Sequence, residues 1–122
     1  MAIVVERSFT IERGSHREFE RLSREGVWPY MEARGCKILG LFTIMHGGPS
    51  NEVILWTAYD SMAHWEATRE DAPLPPDADP ALERLHAPYL EALAARRKLT
   101  VVTSTRVLRP LTTHVTYPVH PG

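Results

Sequence analysis

Residues 35–66, GCKILGLFTIMHGGPSNEVILWTAYDSMAHWE, decide how this chain is read. Two apolar stretches rich in β-branched and aromatic residues, 36–45 and 51–59, flank the loop 46–50. That loop carries the Gly47-Gly48-Pro49 breaker, so the pattern predicts an antiparallel hairpin. Asp60 or Ser61 then caps a helix that runs to about Glu70. Toward the N-terminus, residues 3–11 alternate as a strand. Val5, Phe9 and Ile11 fall on one face and Val4, Glu6, Ser8 and Thr10 on the other, while Arg7 shares the parity of the apolar set. Between that strand and the hairpin, Ser15 is a good N-cap with Glu18 placed as its capping-box partner. Phe19, Leu22, Val27, Tyr30 and Met31 follow at helical spacing up to Gly35. Pro29 cannot donate to Glu25, and with Gly26 nearby it predicts a bend or break near Val27 and Trp28.

Toward the C-terminus, residues 72–80, APLPPDADP, hold four prolines and are expected to form an exposed connection. Asp79 caps a further helix from Pro80 or Ala81 to about Lys98, proline being favoured at the first helical position. Residues 99–108 make the last strand, and the proline-rich stretch beyond is expected to be extended. The order is β-α-β-β-α-β with an extra helix before the last strand. It predicts an α+β, ferredoxin-like fold with a four-stranded antiparallel sheet. Residues 1–111 form its single domain and 112–122 a tail.

Composition narrows the function classes. A chain of 122 residues with a net charge of −1 is expected to be one soluble domain. No apolar run approaches the roughly 20 residues of a membrane span, and the N-terminus reads as a strand, so no membrane partner and a cytoplasmic location are expected. No block of lysines or arginines supplies the electrostatic footprint of nucleic-acid binding. The single cysteine, Cys36, excludes an intrachain disulfide and reads as a buried, inert thiol. Neither His-x-x-x-His nor Cys-x-x-Cys spacing occurs, so the six histidines would have to converge from separate elements to bind a metal, and none is expected. No glycine-rich loop opens a helix, and no nucleophile elbow is present.

His86 is the first candidate for chemistry. Leu82, His86, Tyr89 and Leu93 form one stripe on the helix after the proline-rich connection. A histidine in an apolar stripe is desolvated and suits general-base work, the structural alternative being a core histidine bonded to a carbonyl. Trp56 and Tyr59 lie on opposite faces of their strand, so one faces the helices. With Trp28 and Trp65 they offer the aromatic wall that an apolar or aromatic ligand needs. His64, beside Trp65, is a further catalytic candidate, and His46 in the glycine-rich loop a weaker ligand contact. Arg7 and Arg106 are placed to bind a carboxylate or enolate oxygen, or to pair with Glu6.

The strand VVERSFTI with the following ERG, then GCKILGLF, VILWTAYDSMAHWE and the closing TRVLRPL resemble NIPSNAP-type proteins of the dimeric α+β barrel superfamily, over Val4 to Leu111. The proline-rich connection and the tail depart from that compact pattern. The resemblance implies a homodimer in which two sheets pack face to face. The residues agree, because the sheet face away from the helices would carry Leu, Val, Ile or Trp on every strand, at roughly 25 cal/mol per Å² of exposed apolar area. It also implies a pocket between sheet and helices, with a histidine or tyrosine at the place of His86 and Tyr89. The expected function is a cofactor-independent isomerase, cyclase or monooxygenase acting on a small apolar, aromatic or polyketide-like substrate in specialised biosynthesis. A non-catalytic ligand-binding or protein-interaction module is one alternative. A haem-degrading monooxygenase, which a Soret band would reveal, is another.

Overall fold

The computed structural model describes residues 2–69 and 72–112. The expected extended tail beyond residue 112 lies outside the described residues, and the helix expected to run to about Glu70 ends earlier, at Ala67. The elements are β1 (Ile3–Ile11), α1 (His16–Leu22), a π-helical segment (Ser23–Val27), α2 (Trp28–Ala33), β2 (Lys37–Thr43), β3 (Glu52–Tyr59), α3 (Met62–Ala67), α4 (Pro80–Leu99) and β4 (Thr100–Leu108). The strands pair antiparallel in the order β2-β3-β1-β4, which is the ferredoxin-like arrangement.

Strand parity sets the two faces. On the helix side Val5, Phe9, Ile11, Val53, Leu55, Thr57 and Tyr59 are buried, and Phe19, Val27, Trp28, Tyr30, Tyr89 and Leu93 cover them from the helices. On the other side β1 and β3 place Glu6 opposite Trp56, and β1 and β4 place Glu6 opposite Arg106. Trp56 is 42% exposed and Phe42 44%. Their rings meet edge to face at 4.9 Å. Along β4, Val101 to Leu108 are exposed on both faces, because the helices stop short of this edge strand.

Local chemistry explains where the elements stop and where expectation fails. The capping box at Ser15 does not form: its Oγ donates to the Glu12 carbonyl at 2.6 Å, and Glu18 pairs with Arg21 instead. Asp79 caps α4 as expected, its carboxylate accepting from the Leu82 N–H at 2.8 Å. Ser61 caps α3 by accepting from the His64 N–H. That helix ends at Ala67, where Thr68 Oγ1 donates to the His64 carbonyl at 2.9 Å.

The bend foreseen near Val27 takes the form of a π-helical turn. Pro29 leaves the ladder one donor short, and the Trp28 N–H reaches five residues back to the Ser23 carbonyl. The turn presses Gly26 against α4, where a Cβ on Gly26 would stand 2.4 Å from Ala92 Cβ and 3.3 Å from the Pro88 carbonyl oxygen. Gly26→Ala should therefore destabilise the fold by about 1–3 kcal/mol, overriding the roughly 1 kcal/mol that alanine gains in helix propensity. Urea titration measures it. An unchanged midpoint would show that the π-helical turn and α4 do not meet this closely.

Candidate functional site

The helix side of the sheet holds a small cavity of about 40 Å³ between β1, β3, β4, α2, α3 and α4. Arg7, Thr57, Tyr59, Trp65, Tyr89 and Arg96 are among its walls. At roughly 10–15 Å³ per water-sized group, it admits a small polar fragment rather than a polycyclic ring system.

Strand pleat and helix pitch bring these groups together. Thr57 and Tyr59 share the inner face at the end of β3, while Tyr89, Leu93 and Arg96 follow one another along the inner face of α4. Burial pushes the Tyr59 phenol well above its ordinary value, and its hydrogen bond with Cys36 adds to this. Burial likewise pushes the Cys36 thiol up to about 11. Both groups are neutral at physiological pH, so Tyr59 presents an O–H donor and Cys36 is inert, as read from the sequence. Tyr89 stacks on Tyr30 at 4.4 Å.

Arg96 is 5% exposed. Its guanidinium lies 5.1 Å from the Phe9 ring centre and 5.2 Å from that of Phe19. Its Nη1 donates at 3.1 Å to Ser23 Oγ, which in turn donates to the Phe19 carbonyl at 2.8 Å. The π-helical turn thus has a second role, since it turns Ser23 inward to fix the guanidinium plane. Two aromatic faces and a hydroxyl offset part of the cost of burying the charge. Arg7 reaches the same ring, 5.4 Å above Phe9.

Several candidates fall elsewhere. His86 does not line the cavity: it is half-buried on the flank of α4, 5.2 Å from Tyr30 and 6.3 Å from Tyr89. The inner face of that helix is centred on Tyr89, Leu93 and Arg96, so His86 meets α2 rather than the sheet, contrary to the inward placement expected of it. His64 has both ring nitrogens engaged by backbone. Nδ1 accepts from the Asp60 N–H at 3.1 Å, which leaves Nε2 to donate to the Arg34 carbonyl at 2.7 Å. Its ring also meets Tyr59 edge to face at 5.3 Å, so it braces a cavity wall. Trp56 lies on the opposite sheet face and donates to Glu6 Oε1 at 2.9 Å. Arg106 is on that face too, its Nε donating to Glu6 Oε2 at 2.9 Å. These two partners hold the Glu6 carboxyl below its ordinary value, Arg106 contributing most. Trp28 is buried in the core, and His46 is exposed in the hairpin loop. Neither lines the cavity.

Arg7, Tyr59, Trp65 and Tyr89 are therefore brought together, and Arg96, Thr57 and Arg69 join them. Arg96 was legible only as a continuation of the Tyr89–Leu93 spacing, hidden in an Arg96-Arg97-Lys98 run that reads as helix-end charge. Glu83 and His86 stand at Glu-x-x-His spacing on α4. Among the described residues, no group of three or more His, Cys, Asp or Glu is placed to hold a metal ion. No helix of the described residues is long and apolar enough to cross a membrane.

A sequence model of the NIPSNAP family matches residues 4–110. The chain belongs to the NIPSNAP family. A NIPSNAP-like domain protein from Burkholderia xenovorans is 18% identical and superposes with a TM-score of 0.70 over 97% of this chain and 92% of its own. A NIPSNAP family protein from Agrobacterium tumefaciens is 20% identical, with a TM-score of 0.66 over 90% and 93%. More distantly, SnoaB, a cofactor-independent oxygenase from Streptomyces nogalater, is 12% identical, with a TM-score of 0.59 over 93% and 96%. At such identities the likeness is one of fold. No curated protein matches in sequence. The fold read from this NIPSNAP sequence is the fold it shares with these structures.

Proposed function

We propose that this NIPSNAP protein is a cofactor-independent enzyme that binds a small acidic molecule, enolisable or phenolic, as its anion, and that it works as a homodimer. The observation that carries the reading is the cavity whose walls include Arg7, Arg96 and the protonated Tyr59. Guanidiniums and a neutral phenol at the walls of a small cavity can exchange contacts they already make for the oxygens of such a substrate's anion. In this reading Arg7 and Arg96 hold the oxyanion electrostatically, Tyr59 turns its O–H from Cys36 to donate to it, and Trp65 and Tyr89 flank it in the cavity walls. The substrate loses its proton to solvent water on binding, and the anion so held is the common entry to isomerisation, cyclisation and reaction with dioxygen. The fold shared with a cofactor-independent oxygenase supports the class. The cavity volume favours a substrate, or a reacting fragment, far smaller than a polyketide. Homodimerisation would cover the open sheet face that exposes Phe42 and Trp56.

Solvent deuterium exchange into acetylacetone and phenylpyruvate, together with dioxygen uptake, tests this without added cofactor. Exchange above the buffer rate is expected. It should fall about 10²–10³-fold in Arg96→Met and be reduced in Tyr59→Phe. His86→Phe should leave it within about threefold, since a base outside the cavity has no reach to the proton. Loss of exchange in His86→Phe with retention in Arg96→Met would move the chemistry to the α2–α4 flank. Neither exchange nor uptake with any probe would leave the non-catalytic binding module as the better reading.

A further inference from the structure

We propose that Arg69, at the mouth of the inner cavity, takes the carboxylate of an enolisable oxo acid and so selects such acids over their neutral analogues. The inference rests on the reading of that cavity as the reaction site and deepens it by naming the substrate class. Most of the described walls are buried, Val5, Leu55 and Thr57 among them, whereas Arg69 and Thr105 are exposed. The mouth therefore opens between the segment after α3 and β4. A volume of about 40 Å³ takes a reacting fragment and little more, so a charged group attached to that fragment stands at this opening.

The Arg69 guanidinium lies 4.6 Å from the centre of the Trp65 ring, itself a cavity wall. That contact places the cation without supplying an oxygen for its N–H donors, and among the described residues no oxygen accepts from them. A ligand carboxylate there displaces only water. The main chain beneath is pinned as well. Thr68 Oγ1 donates to the His64 carbonyl at 2.9 Å, and the Ala72 N–H donates to the Arg69 carbonyl at 2.8 Å. His64 in turn ties α3 to the main chain at Asp60 and Arg34. The fork is thus in place before a ligand arrives, which lowers the ordering cost of binding. Its planar donors match both oxygens of a carboxylate, whereas an ester offers neither the charge nor the second equivalent oxygen.

Calorimetric titration and solvent deuterium exchange of the full chain, each with phenylpyruvate and its methyl ester, decide it. The wild-type protein should bind the acid about fivefold or more tightly than the ester. Arg69→Gln changes an exposed side chain and leaves the core untouched. It should weaken binding of the acid about three- to tenfold, and leave binding of the ester and the maximal exchange rate within about twofold. Arg69→Lys should recover part of the loss, since it keeps the charge without the fork. Arg17→Gln, exposed on α1 and outside the cavity walls, removes the same net charge and should change nothing. No preference for the acid in the wild type, an unaltered acid-to-ester ratio in Arg69→Gln, or an equal loss in Arg17→Gln would each overturn the proposal. Binding that depends on Arg69 without any exchange would sink only the enzymatic reading. Exchange indifferent to Arg69 would sink only this one.

Discussion

Phe19→Ala should lower the stability of the fold by about 3–5 kcal/mol, among the largest losses expected of any single truncation. Its side chain is 0% exposed at the centre of the helix face. It meets Phe9 edge to face at 5.0 Å and forms one of the two aromatic surfaces that hold the Arg96 guanidinium. Truncation removes the transfer free energy of the ring and leaves a hole that β1 and α4, both pinned by other contacts, cannot close. It also strips a π face from a buried cation, which adds to the loss. Equilibrium urea unfolding gives the value directly. A loss under about 1 kcal/mol would mean that the helices do not seat on the sheet through this residue.

The second large effect concerns association. Trp56→Glu should convert the proposed homodimer into a folded monomer, weakening association by about 2–4 kcal/mol. That corresponds to roughly 30- to 1,000-fold in the dissociation constant. Trp56 projects from the sheet face opposite the core, beside Phe42 and directly opposite Glu6. A glutamate there removes the largest apolar surface on that face, and it sets two carboxylates opposite each other on adjacent strands. The monomer keeps its core, because the buried side chains of the helix face do not depend on Trp56. Analytical ultracentrifugation at micromolar concentration, with Trp56→Phe as the conservative control, measures the shift. A wild-type protein that sediments as a monomer would remove the reason for this face to stay apolar and would end the dimer proposal.

Much of the architecture was legible because it is written in local chemistry. Period-two alternation in residues 3–11 assigned β1 and both of its faces, and the Gly47-Gly48-Pro49 breaker separated β2 from β3. Asp79 before Pro80 marked the start of α4. Ser15 misled, because a capping serine can turn its hydroxyl to a nearer carbonyl, and Glu18 found Arg21 one turn on. Pro29 and Gly26 announced a disturbance in the first helix. That this turn packs directly against Ala92 and Pro88 of α4, more than sixty residues away, is a tertiary fact that the local sequence does not carry.

The candidate site was less legible for the same reason. Tyr59, Tyr89, Trp65 and Arg7 were identifiable by residue type and parity. Both His86 and Tyr89 meet Tyr30, but rotation about α4 brings only Tyr89 to the cavity wall and leaves His86 on the flank. By itself the sequence determined the order of elements, the two faces of the first strand and the family to which the chain belongs. Only the tertiary structure decided which polar groups share an enclosed space. Ser23 orients Arg96 from 73 residues away, and Glu6 accepts from Arg106 across 100, so these pairs exist only once the helices have crossed the sheet and desolvated what lies between them.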